Sequence, residues 1–118
     1  MLGPRQRRLV ERLETYEGKQ GYGSLECGDE RCALGVAVRL AMEEGVNLNT
    51  CKLNGHTYFN TFKSYLPQSV AAYFGFYSWS GSNSTEETSV LLLNDSKRLT
   101  FKEIAAELRS GRFFKEVK

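Results

Sequence analysis

The stretch DERCALGVAVRLAMEEG, residues 29–45, decides the fold. Between Cys32 and Met42 only Arg39 is strongly polar, so a helix written here is apolar on nearly every side and must be packed on several of them. Asp29 reads as its N-cap and Gly45 as the left-handed residue just past its end, which predicts a central helix over residues 31–44. Cys32 then falls in the first turn, where it reads either as a reactive thiol or as a small apolar group sealing the core.

Upstream, residues 4–17 carry Leu9, Val10, Leu13 and Tyr16 on one stripe, with Gly18 placed to end a first helix. Its other face holds Arg5, Arg8 and Arg12. Glu11 lies within one turn of Arg7 and Arg8, so this reads as a solvated face and not a phosphate-binding stripe. Residues 19–27, KQGYGSLEC, are too rich in glycine for a helix and read as a loop or short strand.

Downstream, Asn54-Gly55 sits between two short runs and predicts a two-residue hairpin over residues 50–59. In that register Leu53 faces His56 and Cys51 faces Tyr58, on one face of the ribbon, expected to be the inner one. Pro67 opens a third helix reaching Phe74, and Gly75 followed by Phe76 fits a Schellman ending. Residues 78–88, SWSGSNSTEET, form the one polar low-complexity segment and read as a mobile loop. The apolar run SVLLL after it reads as a buried strand, stopped by a turn at Asn94-Asp95-Ser96. Thr100 and Glu103 make a capping box, Leu99 and Ile104 a hydrophobic staple, and Phe101, Ile104, Ala105 and Leu108 a buried stripe for a last helix closed by Gly111. The expected architecture is one α+β domain over residues 1–118, with about four helices around a central apolar helix and a small antiparallel sheet that includes the Asn-Gly hairpin.

Composition narrows the function classes. A chain of 118 residues, 41% apolar, can bury a core without staples, and a net charge of +2 is too small for a typical phosphate-binding surface. The segment TFKEIAAELRSG resembles the opening of a helix-turn-helix, but residues 112–118 are too few for a recognition helix, so nucleic acid is not the expected partner. The longest apolar run, residues 32–42, falls short of the roughly 20 residues a bilayer span needs. No signal peptide is read at the start and the three cysteines are an odd number, which points to a cytoplasmic protein with reduced thiols. The glycines of GKQGYG lack the preceding strand and following helix of a phosphate cradle, so no nucleotide or other cofactor is expected.

Together, CALGVAVRLA, LPQSVAAYFGF and LLLNDSKRLTFKEIAAEL resemble a group of small phage and bacterial proteins of unknown function. That group combines a C-x-L-G helix start, an L-P-x-x-V segment and a late L-N-D turn before an F-x-E-I-A helix. Arg31 stands where its pattern often has a second cysteine. The resemblance covers residues 19–108 and implies a shared fold and a phage or prophage origin, with no activity to carry over.

Three chemical readings follow from the residues. In a cysteine hydrolase, Cys32 at a helix N-terminus would be the nucleophile, with His56 and Asp95 as base and orienting group. A helix descending about 18 Å and a strand of about six residues would return His56 to the level of Cys32. In a structural zinc domain, Cys27, Cys32, Cys51 and His56 would supply the ligands, although their C-x4-C and C-x4-H spacings depart from the usual C-x2-C knuckle. The favoured reading is a phage-derived or bacterial accessory protein that binds a host or phage protein, or itself. Tyr77, Trp79, Ser80 and Asn83 are its contact residues, because aromatic side chains on exposed loops are preferred anchors.

Overall fold

The computed structural model describes all 118 residues. In chain order the elements are α1 (Pro4–Glu14), β1 (Lys19–Gln20), β2 (Glu26–Cys27), β3 (Glu30–Arg31), α2 (Ala33–Glu43), β4 (Thr50–Leu53), β5 (His56–Phe59), α3 (Gln68–Phe74), α4 (Val90–Asp95) and α5 (Phe101–Leu108). The fold is α+β. The five strands form one sheet in the order β1-β3-β2-β5-β4, antiparallel except for the β1–β3 pair, so the sheet is mixed and not wholly antiparallel. No helix is long and apolar enough to cross a membrane.

Helix α2 is the core element: Ala33 through Val38, Leu40 and Ala41 are all buried, and it packs against α1, α3 and α4. Its end matches the sequence expectation, since Gly45 takes φ +109° and the Gly45 and Val46 amides donate to the carbonyls of Met42 and Ala41. Its start does not. Asp29 lies in the tight Gly28-Asp29 turn that joins β2 to β3, and Cys32 is the N-cap, its Sγ accepting from the Gly35 amide at 3.4 Å. A second cap comes from far along the chain, because Asn94 Oδ1 accepts from the Ala33 amide at 3.1 Å.

Gly35 explains the C-x-L-G spacing. A Cβ there would lie 1.8 Å from the Leu25 carbonyl oxygen, so only glycine lets the segment before β2 lie directly on the helix. That contact brings Glu26 into the core, 4% exposed. Its carboxylate accepts from Arg39 at 2.7 and 2.8 Å, from Arg31 at 2.7 Å and from the Thr57 hydroxyl at 2.9 Å. Burial alone would raise its pKa; the hydrogen bonds from Arg39, Arg31 and Thr57 outweigh this and hold it at about 2.

Two further expectations are corrected. The run SVLLL is helix α4 and not a strand: Ser89 is its N-cap, accepting from the Leu92 amide at 3.1 Å, and Val90, Leu93 and Asn94 face inward. This gives five helices in place of about four. The hairpin has the expected register, Cys51 opposite Tyr58 and Leu53 opposite His56, but that face is the outer one. Thr57 and Phe59, on the opposite face, are buried, while Cys51 and Leu53 are exposed. A uniform helical stripe sets α1, but it ends at Glu14 with Thr15 as C-cap, short of Gly18. The arginines of its outer face find partners outside α1: Arg8 pairs with Glu44, the C-cap of α2, at 2.7 Å, Arg12 with Glu43 at 2.9 Å, and Arg5 donates to the Tyr73 carbonyl on α3 at 3.2 Å.

Candidate functional site: an aromatic cleft beside helix α3

A cleft of about 470 Å³ opens between α3, the chain that leaves it, and the C-terminal segment. Local sequence builds each wall. Helix α3 starts behind Pro67 and ends in a full Schellman turn: Gly75 at φ +76° donates to Ala72, and Phe76 donates to Ala71 at 2.9 Å. Gly75 is needed twice, since a Cβ there would also lie 2.6 Å from the Glu116 carbonyl. The Lys115 amide donates to the Gly75 carbonyl at 2.6 Å, and Phe76 bridges Phe114, so residues 113–116 are fastened along the floor of the reversal. Phe113 and Phe114 are buried, which is why residues 112–118 fold onto the core and form no second helix of a helix-turn-helix.

The rim is aromatic. Trp79 is 56% exposed, yet its ring stands edge-on to Phe62 at 6.2 Å and tilted against Tyr65 at 5.6 Å, while its carbonyl accepts from the Leu66 amide at 2.8 Å. Phe62 reaches this position through a two-residue reversal at Asn60 and Thr61, both at positive φ, with Phe59 and Phe62 exchanging backbone hydrogen bonds at 2.9 Å. A β-branched Thr61 at φ +73° is strained, and the surrounding contacts hold it there. Tyr77 lines the same cleft and is exposed. Among the polar lining groups, Lys118 pairs with Glu116 at 3.3 Å, whereas Lys115 makes no ion pair.

Of the four contact residues expected from sequence, Tyr77 and Trp79 lie at this cleft. Ser80 lies on the far side of Trp79, its carbonyl accepting from the Leu91 amide at 3.2 Å. Asn83 is buried: its Oδ1 accepts from the Glu87 amide at 3.0 Å and from the Thr85 hydroxyl at 3.4 Å. Its Oδ1 therefore organises residues 83–88. The whole stretch 78–88 is a chain of hydrogen-bonded turns and not an open loop, with Ser78 Oγ accepting from the Ser82 amide at 3.2 Å. Phe62, Tyr65, Gln68 and Lys115 were missed by sequence reading. Asn60, a residue type that tolerates positive φ, is the one local signal that could have found the reversal to Phe62, and nothing local connects Lys115 to α3.

The other expected sites are not assembled. Cys32 is 2% exposed, and burial pushes its thiol up to about 12, against the amide hydrogen bond from Gly35 that favours the thiolate. His56 Nδ1 lies 3.2 Å from Ser24 Oγ and makes no contact with Cys32, while Asp95 accepts from Asn94 Nδ2 at 2.8 Å. Asp95 stands close enough to Cys32 for its charge to oppose thiolate formation, and it is joined to Asn94, which caps the same helix, but His56 lies on β5 against Ser24, so the hydrolase reading has no base at its nucleophile. Of the zinc set, Cys27 and His56 are cross-strand partners, but Cys32 is in the core and Cys51 is on the outer edge; no three His, Cys, Asp or Glu side chains converge to hold a metal. The cleft itself contains neither thiol nor imidazole. In comparisons with known proteins, the chain matches no family model, no curated protein and no solved structure.

Proposed function

We propose that the protein works by binding another protein, and that the cleft beside α3 receives an acidic segment bearing one apolar or aromatic anchor residue. The observation that carries this is Trp79, more than half exposed but fixed by Phe62, Tyr65 and a backbone hydrogen bond. A rigid indole loses little conformational freedom on binding, and such aromatic anchors dominate interface energetics. Lys115, unpaired on the same wall, selects for negative charge and steers its approach. The resemblance carried by CALG and LLLND adds a phage-derived or bacterial accessory setting to this reading, and the three unpaired cysteines add a cytoplasmic location.

Trp79 is the only tryptophan, so its emission reports occupancy directly. Titration with a pool of acidic peptides carrying a central Phe is expected to shift that emission, and a matched lysine-bearing pool is not. In a labelled-peptide assay, Trp79→Ala should abolish binding and Lys115→Glu weaken it about tenfold, the scale of one lost charge-assisted contact. Equal response to both pools, or full binding by Trp79→Ala, overturns the proposal.

A further inference from the structure

We infer that the free edge of β4 pairs with the β4 edge of a second copy of this chain, joining two sheets into one across a two-fold axis at Cys51. Strand β4 is the outermost strand of the sheet and is exposed along its whole length. The hydrogen-bond phase of the hairpin shows which backbone groups are left over. Asn60 donates to Asn49 at 2.8 Å, and hydrogen-bonded pairs recur at every second position of an antiparallel ladder. Cys51 and Leu53 are therefore turned to β5, while the N–H and C=O groups of Thr50 and Lys52 point out from the sheet. Within the chain their one neighbour is Cys51 Sγ, a weak donor 4.0 Å from the Lys52 carbonyl.

Self-pairing of this edge has few registers. Centred on Lys52, it sets lysine directly against lysine, which is destabilising. Centred on Thr50 or Leu53, it runs out of strand, because residues 46–48 are irregular on one side and the Asn54-Gly55 turn closes the other. Centred on Cys51, all of residues 49–53 pair, Thr50 opposes the partner's Lys52, and four backbone hydrogen bonds use every outward group of the two strands. Leu53, 57% exposed, and Tyr58 then line the outer face of a continuous four-stranded surface, over the shallow groove that Asn49, Cys51, Tyr58 and Thr61 border. Nothing blunts this edge beyond its shortness and Lys52, for it carries neither proline nor bulge. The contact is smaller than the about 1,200 Å² of a stable interface, so the dimer is weak and concentration-dependent.

The register sets a readout. Cys51 would face the partner's Cys51 in a non-hydrogen-bonded pair with Cα atoms about 4.5 Å apart, inside the range a disulfide spans. Glutathione disulfide can trap it: the two thiols give up two protons and two electrons, one S–S bond forms between chains, and two glutathione thiols are released. Sedimentation of the full chain up to roughly 1 mM should show a reversible dimer, and trapping should link Cys51 to Cys51. Lys52→Pro removes an outward donor without touching a hairpin bond, and Cys51→Glu opposes two carboxylates while leaving the backbone intact; each should abolish the dimer with an unchanged circular dichroism spectrum. Monomer mass throughout the series, a dimer that survives Cys51→Glu, or trapping through Cys27 overturns the inference.

Discussion

Gly35→Ala is the substitution on which the reading of the fold depends most directly. Helix propensity alone makes it favourable by about 1 kcal/mol, because glycine is the poorer helix former. The tertiary contact predicts the opposite sign. The added methyl would meet the Leu25 carbonyl oxygen at 1.8 Å, its carbon at 2.8 Å and the Leu25 Cα at 3.3 Å, all backbone atoms that cannot swing aside. Relief requires the strand segment to lift from α2 by more than an ångström. That motion strains the Cys32 amide bond to Leu25 at 3.3 Å, the Leu25 amide bond to Lys63 at 2.7 Å and the seating of the buried Glu26. Overpacking in a well-filled core costs typically about 1–3 kcal/mol, and two disturbed hydrogen bonds add about 1 kcal/mol each. A net loss of about 3 kcal/mol is expected, a large part of the total stability of a domain this size. At about 4 °C per kcal/mol, thermal unfolding followed by circular dichroism should fall by about 12 °C. A variant as stable as the parent, or more stable, would show that propensity outweighs the contact and that Leu25 does not press on α2 as described.

Three other outcomes are expected. Cys32→Ser keeps an N-cap acceptor for Gly35 and should change stability less than Cys32→Ala, which loses the cap and should cost about 1–2 kcal/mol in urea titration; in the native protein, a bulky thiol reagent at neutral pH should label Cys51 rapidly and Cys32 only on unfolding. Glu26 has a depressed pKa, so its stabilisation is fully present above the ordinary carboxylate range near 4.5 and is lost as pH falls toward about 2; Glu26→Gln should flatten that acid limb of the stability curve, and an unchanged limb would assign it to other carboxylates.

What the sequence makes legible is local. The Asn54-Gly55 turn, the Gly45 and Gly75 helix endings and the Thr100-Glu103 box each depend on residues within a few positions, and each is where the pattern puts it. Helix α4 is not legible from its four apolar residues, Val90 to Leu93, because so short a run has no period to distinguish strand from helix; the hydroxyl of Ser89 at its head is the cue. The inner face of the hairpin was misassigned because alternation identifies two faces but only the position of the core selects between them. The cleft was half legible. Tyr77 and Trp79 stood out as aromatic residues beside a polar stretch, whereas Lys115 arrives through the Gly75–Lys115 bond, a pairing across the chain that no local pattern announces. Gln6 was hidden for the same reason: it is fully buried and its amide donates to the carbonyls of Phe74 at 2.7 Å and Glu116 at 2.6 Å.

Asn94 has a kinetic meaning as well as a static one. Its side chain accepts from Ala33 and from Gln20 Nε2 at 2.9 Å and donates to the Gly21 carbonyl at 3.0 Å, joining points 61 to 74 residues away along the chain. Cys32 can cap α2 as soon as the helix forms, but the Asn94 cap must wait for α4 to dock, and closing so long a loop precedes any gain from the contact. The N-terminus of the central helix is thus completed in two stages, a local clasp followed by a remote latch. A latch that closes after the rate-limiting step would hold the native state chiefly by slowing its escape, which makes the unfolding rate of an Asn94→Ala variant the measure of when it closes.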